Sequence, residues 1–233
     1  MVLQEEIIFW YLKNKRNFPW RKTRDPYKIW VSEVILQQTR AAQGITFYEN
    51  FLKEFPTLEI LAKSNEQKVL KTWQGLGYYT RARNLFHTAC KIVNDFKGKF
   101  PEDYKKLKAF KGIGDYTASA IGSICFDLPE AVVDGNVYRV ISRIFAIDNP
   151  IDISGSHKIF KEKANSLIKG YVPGLFNQAM MEFGSIQCVP RKPNCDICPV
   201  KKECVSYKRN NLHVFPVKRG VKIIKKKFFN YFV

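Results

Sequence analysis

Four cysteines in one short polar stretch constrain this chain more than any other feature. Cys188, Cys195, Cys198 and Cys204 are separated by six, two and five residues. Nearby prolines and the lack of a long apolar run predict a loop, and four thiolates are typical ligands of structural zinc or of an iron–sulfur cluster. Zinc modules usually use two Cys-x-x-Cys pairs and this chain has one, so the spacing favours a cluster. Zinc, two disulfides and four free cysteines are the alternatives.

The charge balance indicates a polyanionic partner. Lys and Arg number 39 against 21 acidic residues, which gives a formal net charge of +18. Such a chain repels itself and favours nucleic acid, or secondly a membrane surface. No apolar run approaches the roughly 18 residues of a membrane span, and the acidic N-terminus lacks the plan of a signal peptide. We therefore expect a cytoplasmic, DNA-associated protein without a membrane segment.

Apolar residues recur at helical spacing through most of the chain, which predicts an all-α fold. The predicted helices span about 4–14, 28–40, 42–54, 58–63, 66–73, 80–95, 156–169 and 174–187. Residues 131–137 are ambiguous, because Asp134-Gly135 could close a hairpin. The apolar residues that follow recur at helical spacing, so we expect a helix that starts at Asp134.

Residues 107–121 read as helix, tight turn and helix. Gly112 and Gly114 flank Ile113 and allow the backbone to approach a ligand closely. Amides of such a turn and of the following helix N-terminus form an anion site. An ordinary helix–helix turn is the alternative to a phosphate-binding one.

Two carboxylates have contrasting predicted environments. Glu33 is the only charged residue in Ile29–Leu36, so burial should raise its pKa and make it a general acid. Asp134 precedes a predicted helix, whose free amides favour the anion. Such a pair suits cleavage of a glycosidic bond. The simpler interpretations are a salt-bridged glutamate and an ordinary helix cap.

Several motifs together resemble the endonuclease III and MutY family of helix-hairpin-helix DNA glycosylases, most closely its MutY members, over most of residues 7–220. The matching segments are Phe18–Arg21, Asp25–Trp30, Ser32–Thr39, Trp73–Leu85, the turn at 107–121, Asp134–Val137, Phe176–Gly184 and the cysteine loop. One departure is Lys111, where the family usually has proline.

The resemblance implies a two-lobed all-α fold with a [4Fe-4S] cluster bound by Cys188, Cys195, Cys198 and Cys204. It implies one glycosylase domain at 1–206. A helical barrel lobe would span 20–130, and a cluster lobe would join 1–19 to 131–206. The basic tail at 207–233 falls where the Nudix-like domain of MutY proteins is expected to begin, so we expect that domain to be missing.

The resemblance also implies a role for each matching residue. Glu33 would protonate adenine and later assist water, and Asp134 would stabilise the sugar cation, with Tyr116 and Asn136 hydrogen-bonded around them. The remaining matches are base contacts at Trp20, Arg21 and Glu182, duplex-entering residues at Gln38 and Tyr78, and backbone contacts at Gly112 and Gly114. The expected substrate is double-stranded DNA with adenine opposite 8-oxoguanine or guanine, bound by a monomer.

Position 116 distinguishes members of the family. Endonuclease III has lysine there, which forms a Schiff base and cuts the strand, whereas this chain has Tyr116. The resemblance therefore implies base removal without efficient strand cleavage. The alternatives are a thymine-mismatch or bifunctional glycosylase and a non-catalytic iron–sulfur protein that binds DNA.

Overall fold

The computed structural model describes residues 2–220, and within them it contains helices and no strands. The α-helices are α1 Leu3–Asn14, α2 Pro26–Leu36, α3 Ala41–Glu54, α4 Leu58–Lys63, α5 Glu66–Thr72, α6 Thr80–Phe96, α7 Tyr104–Lys108, α8 Asp115–Phe126, α9 Gly135–Phe145, α10 Ser156–Ile168, α11 Pro173–Glu182 and α12 Val205–Lys208. The predicted all-α class is confirmed. Residues 221–233 of the predicted basic tail lie outside the described residues.

Helix α2 differs from its predicted bounds at both ends. Pro26 occupies its first turn, and Asp25 caps it by accepting a hydrogen bond from Tyr27 N at 2.9 Å. The predicted helix over 28–40 is wrong beyond Leu36, because the backbone leaves the helix at Gln37 and reaches a positive φ of 60° at Gln38. The apolar run therefore ends in an exposed turn.

Buried side chains form two clusters. The first runs from Phe18 to Val132 and is built mainly from helices α2–α8. The second joins α1 to α9, α10 and α11 and extends to Val200. Helices α8 and α11 pack across the junction, and a Cβ at Gly174 would lie 2.9 Å from the backbone of Ser123 and Ile124. Glycine is needed there because the two helices approach so closely.

Asn177 of α11 forms hydrogen bonds with the segment 130–132, which connects the two clusters. Its Oδ1 accepts from Val132 N at 2.9 Å, and its Nδ2 donates to Ser123 Oγ and Glu130 O, both at 2.8 Å. The side chain is 1% exposed, and buried polar groups of this kind are costly to leave unpaired. The segment that leads to Asp134 is thus held against both α8 and α11.

None of the helices in residues 2–220 combines the length and apolarity of a membrane span.

Candidate active site

A cavity of about 520 Å³ opens where the two buried clusters meet. Its volume falls in the usual range of small-molecule sites. Seven residues predicted from the sequence line it: Trp20, Arg21, Glu33, Tyr116, Asp134, Asn136 and Glu182. They come from the loop after α1, from α2, from α8, from the start of α9 and from the end of α11. The fold therefore brings together residues far apart in the sequence.

Glu33 is 6% exposed, and its Oε2 has no hydrogen-bond partner among the described residues. Burial raises the pKa of this carboxyl to about 7, and the nearby Asp134 adds to the rise. A hydrogen bond from the Tyr116 hydroxyl lowers the pKa of Glu33 but does not cancel the effect of burial. The same hydroxyl lies 3.6 Å from Met181 Sδ. Glu33 can therefore hold a proton near neutral pH.

Asp134 caps α9 as the sequence predicts. Its Oδ1 accepts from Val137 N and its Oδ2 from Asn136 Nδ2, both at 2.8 Å. Burial nevertheless raises the pKa of Asp134 overall, and these hydrogen bonds, together with the charge of Arg139, oppose that rise. The amides at the start of the helix favour the anion, as the sequence predicts, but desolvation outweighs them and the pKa of Asp134 is raised.

The two carboxylates still differ in how their ionised forms are supported. Both oxygens of Asp134 accept hydrogen bonds, whereas Oε2 of Glu33 has no partner among the described residues. Hydrogen bonds to a carboxylate favour its charged form, and their absence favours the protonated form. The arrangement can place an acid and an anion on the wall of the same cavity.

Glu182 is held by two arginines. Arg16 Nη2 lies 2.6 Å and Arg21 Nη2 lies 2.8 Å from its Oε2. Burial acts to raise the pKa of Glu182, but hydrogen bonds from both arginines outweigh it and hold the pKa at about 2. Oε1 accepts three further hydrogen bonds, from Arg16 N, Arg16 Nε and Arg21 Nη1. A direct contact between Glu182 and a base requires that one of these bonds be given up.

Arg16 is a residue of the cavity that the sequence reasoning missed. It lies in the basic stretch Lys13–Arg16, which resembles an ordinary solvated end of a helix, and its side chain is 40% exposed. Only the fold pairs it with Glu182, which is 166 positions away in sequence. Its spacing of five residues from Arg21 carries no helical or strand signal.

Trp20 forms an apolar wall of the cavity. Its ring stacks on Phe18 at a centroid distance of 5.0 Å and meets the edge of Tyr48 at 5.4 Å. Arg21 lies over the other ring of this pair, 4.8 Å from the centroid of Phe18. The wall is therefore a rigid aromatic surface next to the guanidinium groups.

Gln38 and Tyr78 do not line this cavity. They lie together in a neighbouring open depression with Gln37, Thr80 and Arg81. Tyr78 is 66% exposed, and both residues have positive φ angles, 60° at Gln38 and 48° at Tyr78. The structure thus groups the two predicted duplex-entering residues at the surface beside the cavity.

The glycine turn connects α7 to α8. Gly112 has a φ of 83°, and a Cβ there would lie 2.9 Å from Asn84 Cβ, so a side chain is excluded on two grounds. Gly114 is the N-cap of α8, and no neighbouring atom lies within 4 Å of where its Cβ would be. The exposed amides at this helix start are suited to an anion.

The four cysteines of the loop line a single cavity, which they share with Arg143 and Tyr207. Within residues 2–220, no three His, Cys, Asp or Glu side chains converge tightly enough to hold one metal ion. Four soft thiol donors around a common space are ligands that suit structural zinc or an iron–sulfur cluster.

Helix α9 connects this loop to the catalytic candidates. Arg139 donates to Asn136 Oδ1 at 2.9 Å and to Cys188 O at 2.7 Å. One turn further on, Arg143 lies 3.5 Å from Cys188 Sγ and donates to Val189 O at 2.7 Å. The partners of Asp134 and the cysteine loop are therefore held by the same helix.

Comparison with known proteins identifies the family. The HhH-GPD superfamily of base excision DNA repair proteins matches residues 31–167. The adenine DNA glycosylase of Buchnera aphidicola subsp. Schizaphis graminum is 36% identical over 231 residues, covering 97% of this chain and 65% of that protein. The rat adenine DNA glycosylase is 41% identical over 216 residues, covering 88% of this chain and 42% of that protein. The chain thus spans less than two thirds of these relatives.

Solved structures share the fold. A thermostable thymine-DNA glycosylase superposes with a TM-score of 0.81 at 32% identity, covering 88% of this chain and 95% of that one. An endonuclease III trapped in a covalent intermediate with DNA gives a TM-score of 0.74 at 20% identity, covering 89% of this chain and 94% of that one. The second likeness supports the fold alone.

The pKa of Glu33 predicts a pH-dependent cost to stability. Between its ordinary value of 4.5 and about 7, the folded chain retains a proton that the unfolded chain releases, so the free energy of unfolding falls as pH rises. Glu33→Gln removes this cost, which amounts to about 3 kcal/mol above pH 7. Urea unfolding at pH 5 and pH 8 should show the variant gaining stability over wild type mainly at pH 8.

Glu49→Gln, an exposed change on α3, serves as the control and should follow wild type at both pH values. An equal gain for Glu33→Gln at pH 5 and pH 8 would contradict the raised pKa.

Proposed function

The chain belongs to the HhH-GPD superfamily of base excision DNA repair proteins, and we propose that it removes adenine opposite 8-oxoguanine or guanine from double-stranded DNA. Base removal would be hydrolytic, without efficient strand cleavage. Glu33 and Asp134 lie on the wall of one cavity, which is large enough for an extruded nucleotide, and this arrangement carries the proposal.

In this proposal Glu33 is the general acid. A carboxyl whose pKa is about 7 is protonated in a large fraction of molecules near neutral pH, so it can donate to adenine N7 as the bond to the sugar breaks. Departure of a neutral base lowers the barrier, and the carboxylate left on Glu33 can then assist the attacking water. Tyr116 would orient Glu33 from α8.

Asp134 supports the positive charge that develops on the sugar. An oxocarbenium-like sugar needs a nearby anion, either as an electrostatic partner or as a transient nucleophile. Hydrogen bonds from Val137 N and Asn136 Nδ2 hold the carboxylate in a fixed position at the start of α9. Asn136 would therefore act through Asp134, and Arg139 through Asn136.

The base would bind against Trp20 and the arginine pair. Trp20 offers a flat apolar surface, and Glu182 orients Arg16 and Arg21, whose N–H groups can meet acceptor atoms on the edge of the base. The side chains of Gln38 and Tyr78 would enter the duplex and replace the extruded nucleotide. The amides at Gly112 and Gly114 would hold the DNA backbone without reading its sequence.

The absence of a suitable amine supports base removal without strand cleavage. No lysine is among the described residues that line the cavity, and Tyr116 stands where endonuclease III-like enzymes carry lysine. Schiff-base chemistry needs a primary amine at the sugar carbon.

Removal of thymine from a mismatch with guanine is the second candidate. It is favoured by the structural match to a thymine-DNA glycosylase, because the match includes 95% of that glycosylase chain. The segments Leu36–Thr39 and Gly75–Tyr79 favour adenine, as does similarity to several adenine DNA glycosylases at 36–41% identity.

We also propose a [4Fe-4S] cluster bound by Cys188, Cys195, Cys198 and Cys204. Such a cluster supplies a rigid centre of fixed charge, around which the loop can present Arg191, Lys192, Lys201 and Lys202 to phosphate. Arg139 and Arg143 hold the loop against α9 through its carbonyls.

We propose that residues 1–206 form two lobes. The two buried clusters support a barrel lobe at 20–130 and a cluster lobe made of 1–19 and 131–206, with the cavity between them. We propose that a monomer, associated with DNA in the cytoplasm, carries out the reaction.

A panel of duplexes tests the activity. Single-turnover release of adenine opposite 8-oxoguanine and opposite guanine should exceed release of thymine opposite guanine, and the rate should fall as pH rises past about 7. Glu33→Gln should slow the reaction by about 10²- to 10⁴-fold and retain DNA binding, while Glu49→Gln matches wild type. Release of thymine with adenine left intact would favour the second candidate, and unchanged activity in Glu33→Gln would indicate another acid.

Borohydride reduction tests for strand cleavage. Wild-type protein should leave no covalent adduct with DNA under conditions that release the base completely, because no amine faces the sugar. Tyr116→Lys supplies an amine at this position and should become trappable. A strong adduct with wild-type protein would refute the monofunctional proposal.

Metal analysis tests the cysteine loop. Protein purified without oxygen should contain iron and acid-labile sulfide in equal amounts, and Cys198→Ser should lose both, whereas Cys90→Ser on α6 should keep them. Loss of the cluster should weaken DNA binding and reduce its dependence on salt. Stoichiometric zinc without sulfide would replace the cluster by a structural zinc site.

A further inference from the structure

Arg81 of α6 is half-buried, and its side chain donates hydrogen bonds to an unusually large number of backbone carbonyls. Its guanidinium donates to five carbonyls from two separate segments. The acceptors are Val34 O at 2.8 Å, Ile35 O at 3.2 Å and Gln37 O at the end of α2, and Leu76 O at 3.2 Å and Gly77 O at 3.3 Å in the turn before α6. One side chain thus joins two turns that are about 40 residues apart in sequence.

The end of α2 depends on this contact. The last carbonyls of a helix lack partners within the helix, and a cation there is favourable. Helix α2 has no basic residue in its own last turn. Arg81 supplies both the hydrogen bonds and the charge, and the chain then turns away from the helix at Gln37.

Each of the two turns presents a residue in an unusual conformation. Gln38 follows the acceptor Gln37, and Tyr78 follows the acceptor Gly77, and both have positive φ angles of 60° and 48°. Residues other than glycine adopt this region only when the surrounding structure holds them there. The guanidinium fixes the peptide immediately before each of these residues.

Arg81 has no competing role as an ion-pair partner within the described residues. No carboxylate in residues 2–220 lies within ion-pairing distance of it. Its guanidinium lies 5.4 Å from the ring of Trp73 and 5.7 Å from that of Tyr78. It also borders a small cavity with Lys111 and Gly112 of the glycine turn.

We infer that Arg81 is the positioning residue that preorganises Gln38 and Tyr78 for entry into the duplex. This inference rests on the proposed function and deepens it. Because Arg81 does not line the cavity of Glu33 and Asp134, its loss impairs extrusion of the nucleotide and spares cleavage of the glycosidic bond. Lysine cannot replace it, since an ammonium lacks the planar fork that reaches both turns.

Extrusion can be measured directly with 2-aminopurine in place of the target adenine opposite 8-oxoguanine, in a Glu33→Gln background. Binding should raise the fluorescence as the base unstacks, and Arg81→Lys should reduce that rise several-fold at saturating protein. Arg83→Lys is the matched control, because Arg83 lies on the same helix, is exposed and pairs with Glu66 at 3.3 Å; it should behave as the parent.

Base release separates extrusion from chemistry. Arg81→Lys should slow single-turnover release from a paired duplex by up to about 100-fold, as displacement of a positioned group can. Release should recover when the adenine lies opposite an abasic analogue, where unstacking is easier. The dependence of the rate on pH should be unchanged, since it belongs to Glu33. Equal slowing on both substrates with a shifted pH profile would overturn the inference.

A double-mutant cycle tests whether Arg81 acts through the exposed pair. In a Tyr78→Ala background, Arg81→Lys should slow release by less than about two-fold, because coupled residues are not additive. Independent, multiplicative losses would mean a general structural role and overturn the inference. Thermal unfolding of each variant sets an assay temperature at which all are folded.

Trp73→Phe provides a second variant, in which Arg81 itself is not substituted. It removes the donation from Trp73 Nε1 to Gly77 O at 3.2 Å and should produce a smaller loss of extrusion with the same pH profile. If wild-type protein neither unstacks nor releases adenine, the proposed function fails; if wild type is active and Arg81→Lys equals Arg83→Lys, this inference alone fails.

Discussion

The hydrogen bond from Val137 N to Asp134 Oδ1 is the contact on which the arrangement of the site depends. It places a half-buried carboxylate at the start of α9, where backbone amides stabilise it and where the cavity opens. The same helix turns Arg139 and Arg143 toward the cysteine loop. Hydrogen bonds through Arg139 and Asn136 thus connect the loop carbonyl of Cys188 to the carboxylate of Asp134.

The position of Asp134 relative to Glu33 is set by a different set of contacts. Glu33 lies on α2, whose apolar residues belong to the first buried cluster, and Asp134 follows a segment that runs between the two clusters. Asn177 fixes that segment by bonding Val132 N, Glu130 O and Ser123 Oγ at once. Because Gly174 also lets α11 lie directly on α8, the two carboxylates are held from both sides of the junction. A glycosidic bond needs such fixed spacing between acid and anion.

Local pattern in the sequence predicted most of the helices, the cap at Asp134 and the burial of Glu33, because helical periodicity and capping depend on near neighbours. The other predicted residues of the cavity came from the family resemblance alone. Contacts between distant segments account for what the local pattern missed. The predicted helix over 28–40 runs past Leu36 because no glycine or proline follows at 37–40. The carbonyls at the end of α2 are instead bound by Arg81 from another helix. The sequence around Arg16 indicates only a solvated basic stretch, whereas the fold pairs Arg16 with Glu182. The direction of the pKa shift of Asp134 does not follow from its cap alone, because burial of the carboxyl is a tertiary effect.

Two residues beside the cavity, Glu33 and Tyr78, have environments that are unfavourable for folding. Glu33 is the one buried carboxylate in residues 2–220 with an oxygen that lacks a partner. Lys97, Asp127 and Ala146 have positive φ angles as ordinary helix C-caps, but Tyr78 precedes a helix and projects its side chain into solvent with 66% exposure. Folding alone gains nothing from a buried carboxyl oxygen without a partner or from an exposed aromatic residue with a positive φ. Both features lie beside one cavity. Under the proposed function both become favourable when a nucleotide leaves the duplex, because the acid acquires a base to protonate and the aromatic ring acquires a stack to enter.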